Sequence, residues 1–475
     1  MVLINSENKY NEVLLAYGKK GYKLRVPTNF DVIEPKFIEE VENAKDEINN
    51  ALLHPINSKS LRSLLEGKKD VAISVCDITR AQPRKIVVET IVEHIKDLIP
   101  TSNIKILIAT GTHRENTKEE LIEMLGKDIV ETLNVINHIC DDEDSLLQMN
   151  TSLEDVNVFL NKHWVNADFR ITTGFVEPHF FAGFSGGSKL VAPGLAGLKT
   201  IMKLHNYERL SNPYSIWGEV DKNPIQQDVR KIAKETGVDF TLDVALNRDQ
   251  KITNVFSGNL IDSHNNACNF AKKTAMAEVT QPYDLVITSN SGYPLDQNLY
   301  QTVKGLSAAS QIVKNKGEIL CLSECSDGIP SHGKFYSLLS EFSDPEQVEG
   351  ILSKPDFHCQ DQWQVQILSQ IAKKSKINLF TEGLSNDEIK NAQLKGKEVF
   401  NNIGCASCHM PTLPLKSLMF VEPGPLNTEI STTLAESKKT LVVNLEDYVS
   451  KLEKDDDGNY LVPIWSCLLY TSDAA

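Results

Sequence analysis

No apolar run in this 475-residue chain approaches the roughly 20 residues needed to cross a bilayer. A membrane-spanning protein is therefore not expected. No Lys/Arg-rich run is present and the formal net charge is −15, which argues against a nucleic-acid partner. Internal repeats and low-complexity stretches are also missing. The segment Met1–Tyr10 is polar and lacks the charged-then-apolar pattern of a signal peptide, so a cytoplasmic location is expected. Cysteine is sparse, and Cys76, Cys140, Cys268, Cys321, Cys325 and Cys359 are scattered through apolar or mixed surroundings. In a reducing compartment these read as buried thiols, not as a disulfide framework.

What is present is an ordinary globular composition, 41% hydrophobic and 24% charged. The length suggests two to four domains at roughly 150 residues each. Short Val/Ile-rich runs alternate with helical patterns. Strands are expected at 71–76, 104–110, 169–173, 240–246, 285–288, 319–322 and 377–380. Helices are expected at 83–99, from about 117 to 125, from 198, and at 224–236. This alternation predicts open, mostly parallel α/β sheets. A polar stretch at 278–283, just before a fresh strand, suggests a boundary near residue 280. The expected organisation is an N-terminal α/β domain over 1–280 and a smaller C-terminal one over 281–394, with the active site between them. In such folds ligands sit at strand carboxyl ends or between domains.

Five segments carry residues suited to chemistry. Asp77-Ile78-Thr79-Arg80 follows a buried strand, where an Arg can grip a carboxylate with two hydrogen bonds. It reads equally well as a turn and helix N-cap. Thr110-Gly111-Thr112-His113 lies at another strand end, where a His can act as acid or base near neutral pH; taken alone, a loop His bonded to backbone explains it better. The richest segment runs from Gly174 to Lys189 and holds Glu177, His179, Gly186 and Gly187. Its glycines allow close backbone approach to a ligand, and Lys189 could meet a phosphate or serve as an amine nucleophile. The Walker spacing and the GxGxxG fingerprint are both absent. His205 lies on a helical pattern over 198–210, a place where a lone His is more often structural. Finally, Gln301 and Lys304 follow Tyr300 and share a helix face, which by itself suggests only a solvated surface.

In this order, over about residues 10–394, these segments resemble the lactate racemase family that uses a nickel-pincer nucleotide. The block from Gly174 to His205 is the most specific part of the match. The resemblance implies that Lys189 holds the cofactor covalently and that His205 ligates nickel, with Asp77, Gly186 and Gly187 near the cofactor. It implies His113 and His179 as paired acid/base groups. Arg80, Tyr300, Gln301, Lys304 and Trp363 would contact a small 2-hydroxy acid. The implied reaction is racemisation or epimerisation by reversible hydride transfer to the cofactor, and cofactor-synthesis proteins are the implied partners. Ala81, Glu115 and Ser188 depart from the family pattern. None of the three removes a chemical group, but together they leave the substrate open among several 2-hydroxy acids.

From about Lys395 the character changes. Cys405-Ala406-Ser407-Cys408-His409 is a c-type haem attachment pattern, with His409 as the iron ligand, and residues 395–466 resemble a segment of di-haem cytochrome oxidoreductases. Haem c is normally attached outside the cytoplasm, which conflicts with the body of the chain. Residues 467–475 resemble a translated sequencing adapter. We read this C-terminal part as an irregular, foreign tail.

Overall fold

The computed structural model describes residues 10–384, apart from 155, 331–332, 342–344 and 355–356, together with four short strands further on. The described body belongs to one compact unit, Met1–Leu384. Its larger sheet has six strands in the order Ile252–Gly258, Phe240–Leu246, Phe169–Phe175, Val71–Cys76, Ile104–Ala109 and Asn134–Asn137. All neighbours are parallel except Ile252–Gly258, an antiparallel edge strand on Phe240–Leu246.

The apolar runs form strands buried on both faces because side chains alternate at a period of two. In Ile104–Ala109, the side chains of Ile104, Ile106 and Ile108 enter one core cluster. Leu107 enters the other. The first cluster is closed by the helices Ala44–Leu53, Arg84–Ile95 and Lys118–Leu125. The second is closed in part by the helix Pro224–Thr236 through Ile225, Val229 and Ile232. Each such side chain contributes about 1.5–3 kcal/mol relative to exposure. The 118–125 helix begins at a capping box, in which the Thr117 side chain and Glu120 satisfy each other's backbone N–H groups.

A second sheet has three parallel strands, Tyr283–Ser289, Val313–Leu322 and Lys376–Phe380, with Val313–Leu322 in the centre. Its helices Leu299–Ser310 and Gln362–Lys374 contribute Val303, Leu306, Trp363 and Ile367 to the same apolar cluster that Leu107 and Ile225 enter. The helix expected through 198–210 is broken. It runs Leu198–Leu204, His205 forms its C-cap, and a second short helix covers Tyr207–Ser211. The unit Ser385–Ala475 contains two strand pairs, Thr412–Leu415 with Tyr460–Pro463 and Met419–Val421 with Val442–Asn444.

Candidate active site

The strand order brings the carboxyl ends of Val71–Cys76, Ile104–Ala109 and Phe169–Phe175 side by side. The loops that follow them, with the helices Leu299–Ser310 and Gln362–Lys374, enclose a cavity of about 130 Å³. Asp77, Arg80, His113, His179, Gly186, Lys189, His205, Tyr300, Gln301, Lys304 and Trp363 all line it. Gly187, also expected at the cofactor, is buried and is not among the residues that line it. A larger groove of about 470 Å³, lined by Ile78, Pro83, Lys85, Glu89 and Met124 among others, holds none of the expected residues. Cys405, Cys408 and His409 lie outside the described residues.

The two strand-end motifs meet. His113 Nδ1 is 2.5 Å from Asp77 Oδ2, and Thr79 Oγ1 donates to Asp77 Oδ1 at 2.7 Å. Burial alone would raise the Asp77 pKa. The His113 charge and hydrogen bond, Arg80 and the Thr79 hydroxyl outweigh it and hold the carboxyl well below the usual carboxylate range. Asp77 is therefore ionised, and His113 presents its Nδ1–H to it. Gly111 makes the loop possible, because its φ of +58° lies where a side chain is strained.

His179 is bonded the other way round. Its Nδ1 accepts from the Ala182 N–H at 3.3 Å. Burial, then Lys189, Lys304, Arg80 and His205, push its pKa well below the ordinary value, so the ring is neutral. Phe180 and Phe181 pack on it, with ring centroids 4.7 and 4.6 Å away.

Lys189 stands at the end of the glycine turn, in a single 3₁₀ turn, Gly187–Leu190. Burial, then Arg80, lower its amine to about 7, against a smaller pull from Glu177. His205 donates Nδ1–H to the Ile201 carbonyl at 2.8 Å, which leaves the lone pair on Nε2. Burial holds its pKa at about 4. Phe181 meets the His205 ring edge-on at 5.2 Å and Trp363 packs on it at 4.9 Å.

From the second sheet's helices, Trp363 Nε1 donates to Tyr300 Oη at 2.8 Å, and the Asn298 side chain caps the 299–310 helix at the Gln301 N–H. Gln301 Oε1 is buried without a hydrogen-bond partner. A buried acceptor left open at a cavity wall is suited to a ligand's donor. Lys304 and Glu177 face the same cavity. Burial, then Arg80, push Lys304 down while Glu177 pulls it back. Burial raises Glu177 against the pull of Lys304.

Sequence reasoning named Glu177 but assigned it no role, and it missed Asp243 and His264, which back the glycine turn. Asp243 accepts from the Gly187 N–H at 3.1 and 3.2 Å, and His264 Nε2 lies 2.9 Å from the Ser185 carbonyl. The available signal for Asp243 was a charge within an otherwise apolar strand, Phe240–Leu246.

Comparison with known proteins decides the family. A model of the lactate racemase N-terminal domain matches residues 17–218, and one of the lactate racemase C-terminal domain matches residues 279–407. The chain belongs to the lactate racemase family. A lactate racemase from Thermoanaerobacterium thermosaccharolyticum is 38% identical over 349 residues, covering 73% of this chain and 82% of that protein. One from Lactiplantibacillus plantarum is 33% identical over 353 residues, covering 74% and 83%. The lactate racemase apoprotein structure from T. thermosaccharolyticum superposes with a TM-score of 0.73 at 34% identity, covering 83% of this chain and 95% of that one. A crystal structure of a Thermotoga maritima protein shares the fold, with a TM-score of 0.60 at 18% identity, covering 74% and 91%. Membership makes this lactate racemase family chain an enzyme of the isomerase class. Its C-terminal family match reaches past 394 to include Cys405. Among the described residues no helix is long and apolar enough to cross a membrane.

Proposed function

We propose that this chain racemises or epimerises a small 2-hydroxy acid, lactate or a close relative, with a nickel-pincer nucleotide as cofactor. The observation that carries the reading is a pair of histidines on one cavity with opposite hydrogen bonding at Nδ1. His113 donates there to Asp77, so its Nε2 is free to take a proton. The neutral His179 accepts there from Ala182, so its Nε2 carries a proton to give. A racemase needs one base and one acid for each direction, with the roles exchanged for the other enantiomer.

The donor set fits the cofactor. Among the described residues no group of three or more His, Cys, Asp or Glu side chains could hold a metal ion, so a metal here needs donors from a cofactor as well as an imidazole. His205, its tautomer set by Ile201, is suited to be the protein's ligand. Lys189, with an amine lowered to about 7, is suited to covalent attachment. Gly186 and Gly187 give close backbone approach. When bound, the group supplies a reversible acceptor for the hydride from the substrate's Cα.

Arg80 and Lys304 provide cationic partners for the substrate carboxylate. Burial lowers Lys304, and an arriving carboxylate favours its charged form, so the two charges stabilise each other. Gln301 Oε1 is open to a hydroxyl donor. Tyr300 and Trp363, bonded to each other, close the wall beside His205.

The test is co-expression of the full chain with nickel-pincer synthesis proteins, the partners this reading requires. About one nickel per chain, added mass on the Lys189 peptide and interconversion of D- and L-lactate or another 2-hydroxy acid are expected. Folded protein with no nickel and an unmodified Lys189 would overturn the reading.

A further inference from the structure

We propose that Asp243 and His264 are positioning residues that clamp the glycine turn from two sides and so aim Lys189 into the cavity. The inference rests on the role given to Lys189 above. Neither residue is among those that line the cavity, so each acts through the turn.

The clamp closes on the residues just before Lys189. Asp243 comes from the strand Phe240–Leu246, is fully buried, and accepts the Gly187 N–H with both carboxylate oxygens. His264 comes from the helix Leu260–Ala275 and is 1% exposed. Arg230 Nη2 donates to its Nδ1 at 3.2 Å and also to Asn265 Oδ1 at 2.6 Å. Arg230 thereby fixes the His264 tautomer, and Nε2–H donates to the Ser185 carbonyl. The turn is held at the carbonyl of 185 and the amide of 187.

The surrounding glycines leave room for both clamps. A Cβ on Gly187 would lie 2.7 Å from His264 Cδ2, and one on Gly174 would lie 2.8 Å from Asp243 Oδ1. Gly186 and Gly187 hold φ of +78° and +53°, open to glycine and strained for any other residue; the same backbone freedom leaves the turn to be fixed by its hydrogen-bond partners. A buried carboxyl is a costly way to accept one N–H; burial pushes Asp243 up to about 7. Retaining an ionisable group at such a place suits a site whose geometry matters more than its stability.

The experiment uses the full chain without cofactor and reads Lys189 directly. Trace acetylation with acetic anhydride, followed by mass spectrometry of the Lys189 peptide, measures how accessible and well aimed the amine is. Asp243→Ala and His264→Ala are expected to change the labelling rate by about tenfold or more, because displacement of a reacting group by about 1 Å has effects up to about 10²-fold. Asp243→Asn keeps an oxygen for the Gly187 N–H and is expected to restore most of the wild-type rate. Thr241→Val, on the same strand but bonded to Thr172, controls for lost stability and leaves Lys189 labelling unchanged. In cofactor-loaded protein the same alanine variants lower kcat more than they raise KM. Wild-type labelling in folded Asp243→Ala, or an equal change in Asp243→Asn, overturns the clamp. Should the alanine variants not fold, hydrogen exchange of the Gly187 amide in the wild-type chain decides. Strong protection supports the clamp, and free exchange overturns it. A chain that never takes up nickel would defeat the racemase reading, while labelling and exchange would still judge the clamp.

Discussion

Asp77 sets the state of His113 from behind. As an ionised carboxylate beside Nδ1 it selects the tautomer whose Nε2 can accept a proton. Asp77→Asn removes that charge, and kcat for racemisation is expected to fall by about 10²–10⁴-fold, the range for loss of acid–base catalysis. KM should change far less, which steady-state kinetics in both directions would show; an unchanged kcat would remove Asp77 from the dyad. At this scale much of the site was legible in sequence, because Asp77, Arg80, His113, His179 and Lys189 stand at strand ends or beside glycines. Asp243 and His264 were not. Their partners lie 56 and 79 positions away in the chain, and no local pattern encodes such a pairing.

At the scale of elements, helix ends carry the site as much as strand ends do. The Leu198–Leu204 helix stops at His205, whose ring then bonds back to the last turn. The Pro224–Thr236 helix starts at Asn223, whose side-chain oxygen accepts from the Ile225 and Gln226 N–H groups. The same side chain donates to the Phe181 carbonyl at 2.8 Å, tying the helix to the segment that packs on His179 and His205. Asn223→Ala is expected to destabilise the protein by about 1.5–5 kcal/mol, the sum of a lost cap and a buried carbonyl left unpaired. Urea unfolding would show this as a lower midpoint at unchanged slope. The sequence pattern placed this helix correctly, since Pro at its first position and amphipathic spacing are local signals. It ran the helix through His205 because periodicity continues into Tyr207–Ser211, while the break depends on what surrounds the ring.

Over the whole molecule, burial of titratable groups gives stability a pH dependence whose sign can be worked out. His138, His205 and His264 are held at about 4, and His179 also lies well below its ordinary value; burial is the main cause in each. Between about pH 6.5 and 4 the unfolded chain binds protons that these four refuse in the folded state, so they lower stability as pH falls. Asp243, raised to about 7, and Glu177, also raised, act in the opposite sense by keeping protons that the unfolded chain has released. His94 and His163 are lowered as well, Asp239 is raised, and the lowered Lys304 offsets Glu177, so the histidines prevail and unfolding takes up protons in this range. Calorimetry on the cofactor-free protein should find Tm falling as pH drops from about 6.5 towards 4. A flat or rising Tm would mean that the buried histidines are not neutral.

Sequence alone determined the architecture and the family. Apolar runs at the strand period fix parallel sheets buried on both faces, and the block from Gly174 to His205 is distinctive without any coordinates. Only the tertiary structure decided which residues meet and in what state. The cavity joins positions from Cys76 to Gln364, because parallel topology collects strand carboxyl ends of the larger sheet that are far apart in the chain and the helices Leu299–Ser310 and Gln362–Lys374 close it from the other side. The protonation of His179, Lys189 and His205 follows from burial and from neighbours supplied by other elements. Desolvation is a property of the packed interior, and it does not exist until the chain has folded.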